Sequence, residues 1–317
     1  GKSQRIRPGD ILGAVAGDLS GAALILTAAS CTSTLSDEPA TDARAISFTP
    51  AAETRAAVEG DFPGGSSFSV WGWYGKDSQI TNNVFDGETV TKSGNNWSYD
   101  GGTQYWISGM TYNFYGVYPA NVGSCKADGT INVTDFDCSK TGEEAVDLMT
   151  ATAQGDGSIP APVAMPFQHE LARVNIIVTS EGDAVTISNA QLYGISHKGT
   201  LKGSNWELSQ ESDKANPSFT EQTLNINDTQ DHLLFEGDLL LPPHKQLSDD
   251  ATLDFSYQYT GDTTSKSASI KLKTNSVTTW EKGKRYNYRI NIPRNATNVG
   301  LTIEVTDWDE KNYTVEW

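Results

Sequence analysis

Arg285-Tyr286-Asn287-Tyr288-Arg289-Ile290-Asn291-Ile292 alternates polar and apolar residues without a break and stops at Pro293. Successive side chains of a strand point to opposite faces, so this period of two gathers Tyr286, Tyr288, Ile290 and Ile292 on one face. On a helix, residues two apart lie nearly opposite each other, and the same four would split between two sides. The stretch therefore reads as a half-buried strand, and Pro293, lacking an N–H, ends it.

The same signal recurs in both directions. Leu301, Ile303 and Val305 alternate downstream; Leu253-Asp-Phe255-Ser-Tyr257-Gln-Tyr259 and Ala268-Ser-Ile270-Lys-Leu272 alternate upstream. Shorter apolar runs lie at Leu171–Val178, Val185–Ile187, Ala190–Ile195, Leu233–Phe235 and Leu239–Leu241. In the first half, Ile46 and Phe48 alternate, as do Phe68-Ser-Val70-Trp-Gly-Trp73 and Tyr112-Asn-Phe114-Tyr-Gly-Val117-Tyr118, which stops at Pro119. Asn96–Tyr99 leads through Gly101-Gly102 to Tyr105-Trp106. Strands this short, separated by turn residues, predict β-sandwiches or barrels. No window after the N-terminal leader carries a convincing helical period, so the expected class is all-β.

The chain has 317 residues, 37% of them hydrophobic and 20% charged, which suits two folded domains and excludes wholesale disorder. Its formal net charge of −17 repels phosphate backbones and anionic membranes, and no Lys/Arg-rich run opposes that locally. Nucleic acid is not an expected partner.

Three cysteines are present, Cys31, Cys125 and Cys138. The apolar run Gly21–Ser30 ends in small residues immediately before Cys31, and Lys2, Arg5 and Arg7 precede it. That order reads as a bacterial lipoprotein signal peptide with Cys31 as the lipid-bearing residue; the alternative is a buried N-terminal helix with an ordinary cysteine. Cys125 and Cys138 are then a candidate loop disulfide, with two free thiols as the alternative. The expected organisation is a leader over 1–31, a Ser/Thr/Asp-rich tether over 32–44, and two sandwich domains over 45–162 and 163–317. The second boundary is placed by Pro160, Pro162 and Pro166 between two strand-rich regions.

A search for chemistry is mostly negative. The four histidines, His169, His197, His232 and His244, are scattered, and no nucleophile elbow, zinc pair or calcium loop accompanies them. His169 reads as a core or rim histidine. No phosphate loop or dinucleotide fingerprint is present, no cofactor or metal is expected, and the chain is not expected to be an enzyme. Trp71, Trp73 and Trp106 offer a candidate sugar-stacking platform, although in sandwiches such rings more often form core and cross-strand pairs.

Several stretches together resemble the fimbrillin family of Bacteroides-type bacteria. They are the Cys31 leader, Ile46–Phe48 followed by Thr54-Arg55-Ala56, Trp106 before Tyr112–Pro119, and Asp147-Leu-Met149. Phe167-Gln-His169-Glu-Leu-Ala172-Arg173-Val174, Leu240-Leu241-Pro242, Trp280–Tyr288 and Val305-Thr-Asp-Trp308 complete the series. The resemblance implies two transthyretin-like sandwich domains and export as a lipoprotein to the cell outer membrane. It further implies proteolytic removal of an N-terminal strand and assembly into a fimbrium by strand addition between subunits. On that reading Arg55 and Arg44 are the processing candidates, Arg55 preferred because a cut at Arg44 leaves the Ile46–Phe48 strand in place. Donor-strand candidates are Leu301, Ile303 and Val305, or Tyr313, Val315 and Trp317. The alternatives are a closing strand of the second domain and the second arm of a terminal hairpin. Expected partners are other fimbrial subunits, the outer membrane through the lipid anchor before processing, and a surface glycan or protein of the host or of bacteria. A monomeric glycan-binding surface lipoprotein is the competing function.

Overall fold

The computed structural model describes residues 42–52, 62–209, 219, 223–294 and 298–308. These form an all-β protein whose regular structure is twenty strands and a single 3-10 turn at Gly142–Glu144. The alternating stretch that fixes the class is strand β19 (Lys284–Ile292), with Tyr286, Tyr288, Ile290 and Ile292 all buried.

The first half builds one seven-stranded sheet. Its order is β1 (Phe48–Ala52), β9 (Val163–His169), β8 (Met149–Asp156), β5 (Thr111–Tyr118), β2 (Ser67–Lys76), β3 (Gln79–Ser93) and β4 (Asn96–Ser98). β9 lies just past the expected 162/163 boundary and is hydrogen-bonded into this first sheet. A second sheet runs β15 (His232–Leu233), β10 (Ala172–Ser180), β19 and β20 (Gly300–Asp307), with β16 (Leu239–Leu241) also on β10. A third runs β14 (Leu224–Ile226), β11 (Val185–Tyr193), β17 (Thr252–Tyr259) and β18 (Lys266–Lys271). The fourth runs β13 (Asn205–Leu208), β12 (Lys198–Lys202), β7 (Ile131–Asp137) and β6 (Ser124–Cys125), drawing strands from both halves of the sequence.

Two apolar cores result. The smaller holds Ile46, Phe48, Phe68, Val70, Tyr112, Phe114, Met165 and Phe167. The larger holds Trp71, Trp73, Tyr115 and Val117 together with Ile131, Val133, Phe136, Leu201 and Trp206, and continues through Tyr286–Ile292 to Trp308. The pleat explains how β2 and β5 serve both. Phe68 and Val70 point to one face of β2 and Trp71 and Trp73 to the other, as even and odd positions of a pleated strand do. Tyr112 and Phe114 on β5 face the smaller core, and Tyr115 and Val117 face the larger. Strands buried on both faces read as nearly continuous apolar runs, as these do.

Candidate functional site

β1 is an edge strand of the first sheet, parallel to β9 over five residue pairs from Phe48↔Val163 to Ala52↔Phe167. The expected alternation at Ile46 and Phe48 is present, but the ladder begins only at Phe48. Before it, Ala45 bridges Tyr105, the Ile46 N–H donates to the Gln104 carbonyl at 2.8 Å, and the Trp106 N–H donates to the Arg44 carbonyl at 2.9 Å. The segment is thus seated between two backbone walls, residues 104–106 and β9. The Tyr99 hydroxyl adds a clamp, donating to the Ile46 carbonyl at 2.8 Å while accepting from the Gln104 N–H at 3.2 Å. Burial pushes the Tyr99 phenol above its ordinary pKa, so it stays a donor at neutral pH.

Side chains hold the segment as firmly as backbone does. Ile46 and Phe48 are 2% and 3% exposed. The Phe48 ring stands edge-on to Phe68, Phe85, Tyr99 and Phe114, with centroids 5.4–6.1 Å away. Behind the seat, Trp106 lies against Gly155, where a Cβ would stand 2.3 Å from the ring; glycine is what lets the ring reach that depth. The Arg44 guanidinium donates to the carbonyls of Trp106 at 2.6 Å and Gly157 at 3.0 Å, so this processing candidate is tied into the same wall. Arg55 lies outside the described residues, as does Cys31.

Next to the seat the sheet is open. β8 and β9 pair only at Met149↔His169 and Thr150↔Gln168. Beyond them a cavity of about 640 Å³ is lined by Thr152, Ala153, Gln154, Gly155, Val163, Pro166 and their neighbours. Pro162 and Pro166 have no N–H to give to a ladder there.

At the other end of the chain, β20 is also an edge strand, antiparallel to β19 over eight residue pairs. Leu301 and Ile303 pack half-buried against the larger core, and Val305 is 46% exposed. In the structure this segment takes the place of a closing strand. Tyr313, Val315 and Trp317 lie outside the described residues. Immediately after β20, Trp308 is fully buried and its ring stacks on His169, centroids 4.0 Å apart and planes 5° apart. His169, read from sequence as a core or rim histidine, is buried and sits with Nδ1 2.5 Å from Asp147 Oδ2. No spacing in the sequence announces this meeting of three distant stretches.

Two expectations are corrected. Trp71, Trp73 and Trp106 are 5%, 8% and 3% exposed, so none presents a face to a sugar; they are core rings of the two clusters. Cys125 and Cys138 are both free thiols. Register explains it: Cys125 pairs with Ile131, and Cys138 lies seven residues further on, just past the end of β7. Extended, that separation is roughly 23 Å at ~3.3 Å per residue, against the ~4.4–6.8 Å between Cα atoms that a disulfide requires. Burial pushes the Cys125 thiol up to about 12, and raises Cys138 as well. Among the described residues no group of three or more His, Cys, Asp or Glu side chains is placed to hold a metal ion.

The described residues form an all-β body of paired sheets with a buried edge segment. Residues 54–308 match the fimbrillin-like family, and the chain belongs to it. Its fold is similar to that of a fimbrial protein from Bacteroides vulgatus, with a TM-score of 0.59 at 18% identity over 84% of this chain and 99% of that one. It is also similar to proteins assigned to cell adhesion from Bacteroides uniformis and Bacteroides ovatus. The first has a TM-score of 0.53 at 15% identity over 83% of this chain and 99% of that one. The second has a TM-score of 0.52 at 13% identity over 83% and 96%. At such identities the likeness speaks for the fold. No curated protein matches the chain.

Proposed function

We propose that this chain is a fimbrial subunit or tip adhesin of the bacterial surface. It would be exported as a lipoprotein through Cys31 and assembled by loss of its N-terminal strand and strand exchange between two-sandwich subunits. The observation that carries the reading is the seat of Ile46–Ala52: an edge segment anchored by the buried side chains of Ile46 and Phe48 and paired on two backbone walls. Removing it would uncover a row of unpaired backbone groups above an apolar groove, which is the geometry that β-augmentation requires. Arg55 follows the segment and Arg44 precedes it. The Arg44 guanidinium is engaged with two carbonyls, which favours Arg55 as the processing point.

Trypsin treatment of the purified protein tests this. The expected result is a discrete cut near Arg55 followed by heat-stable, SDS-resistant ladders. A cut that leaves only monomers would remove polymerisation and leave the tip-adhesin role. The anchor has a separate check: Cys31→Ser is expected to abolish lipid labelling and release the protein from the membrane fraction.

A further inference from the structure

The core-facing residues of β10 and β19 alternate with a second set that points to the outer face of their sheet. The two strands run parallel and in register, so this set forms matched rows, Arg173 beside Arg285 and Asn175 beside Asn287. Like charges placed side by side on neighbouring strands are destabilising. Here the repulsion is only half compensated. Arg173 is ion-paired with Asp238, and Arg289, further along β19, with Asp231 at 2.6 Å. Arg285 makes no ion pair among the described residues; Asp238 and Glu304 act on it only through space. Its Nε is buried without an acceptor, and so is the hydroxyl of Thr306, its cross-strand partner on β20. Burial and the adjacent Arg173 charge lower the Arg285 pKa from its ordinary value, as befits a cation short of a counterion.

The asparagine row has the opposite vacancy. Asn175 Nδ2 donates to Asn287 Oδ1 at 2.9 Å, and Asn287 Nδ2 donates to Glu304 Oε2 at 3.4 Å. Asn175 Oδ1 is left buried with no donor. We infer that this face binds an acidic segment of a partner protein, with one carboxylate on Arg285 and Thr306 and a neighbouring N–H given to Asn175. Two orphan donors set side by side call for an anion, and a guanidinium fork matches a carboxylate. The orphan acceptor calls for a donor beside that anion, and a peptide supplies both. Arg285 and Thr306 are partly exposed, so the patch opens to solvent. The outer positions of β10, β19 and β20 carry no aromatic ring on which a sugar could stack. The inference goes beyond strand exchange and would stand without it.

The test uses the intact protein and a labelled peptide of six glutamates, read by fluorescence anisotropy at low salt, with six glutamines as the blank. The glutamate peptide is expected to bind, and Arg285→Gln to weaken it at least about tenfold, as loss of a charge-assisted contact does. Arg285→Lys, which keeps the charge and loses the fork, should fall between the two. Arg294→Gln makes the same charge change just past the far end of β19 and should shift binding by no more than about twofold. In urea, Arg285→Gln is expected to unfold at no lower a midpoint than the unchanged protein, because it removes an uncompensated charge. A lower midpoint would make Arg285 a structural cation and overturn the inference. Absence of binding would overturn it too, as would an equal loss in Arg294→Gln, the sign of diffuse attraction. Displacement of the peptide by glucuronate but not by free glutamate would reassign the patch to an acidic sugar and overturn the choice of partner.

Discussion

β1 and β20 both close the edge of a sheet, and they are held by opposite means. β1 has five pairs in its ladder, yet Ile46 and Phe48 beside and within it are almost wholly buried. β20 has eight pairs in register, yet its apolar residues are half-buried and Val305 is 46% exposed. Backbone pairing along a wet edge is nearly exchangeable with water, whereas an apolar side chain in a fitted pocket is not. A segment held by side chains leaves a shaped hole when it departs; one held mainly by its ladder leaves a flat edge. The contrast sets β1, held by its buried side chains, apart from β20, held mainly by its ladder.

Substitutions on the two edges test that contrast. The largest effect is expected at Phe48→Ala, which empties the box of rings and should cost about 3–5 kcal/mol in urea unfolding. A loss under about 1 kcal/mol would mean that β1 is held by its ladder after all. Gly155→Val should come next, because its Cβ would meet the Trp106 ring in the wall of the seat. Overpacking of that kind costs about 1–3 kcal/mol, and hydrogen exchange should rise at Ile46 and Trp106. Tyr99→Phe removes the clamp on the Ile46 carbonyl and should cost about 1 kcal/mol. Hastened trypsin cleavage, at unchanged burial of Phe48, would place the effect in the clamp alone. Smallest of all, Val305→Ser on β20 should stay within about 0.5 kcal/mol in thermal unfolding, as a substitution at a half-exposed edge does. A larger loss there would erase the difference between the two edges.

Much of this was legible in the residues. The alternation from Tyr286 to Ile292 gives a strand with those four residues inside, and Ile46 and Phe48 alternate in the same way. The terminal alternation at Leu301, Ile303 and Val305 likewise foretells β20. Trp71 and Trp73 are harder. A tryptophan on the outer face of a strand looks available to a ligand until a second layer covers it, and here the larger core does so with residues such as Ile131, Leu201 and Trp206. The cysteine pair is misleading for a related reason. A short sequence separation suggests proximity, but an extended strand carries Cys138 away from Cys125 as fast as a chain can. Neither the parallel pairing of β1 with β9, more than a hundred residues apart, nor the His169–Trp308 stack leaves a local trace.

The residues alone settle that the chain is all-β, that strands such as Tyr286–Ile292 bury one face, and, through motifs spread from Ile46 to Trp308, the family to which it belongs. These are properties of local period and composition, and short-range sterics settle them. That Phe48 sits in a box of four rings, that Tyr99 clamps Ile46, and that one apparent binding platform is core emerge only from the folded chain. Those outcomes depend on which strands become neighbours, and neighbours in a sheet are chosen by long-range complementarity that no window of residues contains.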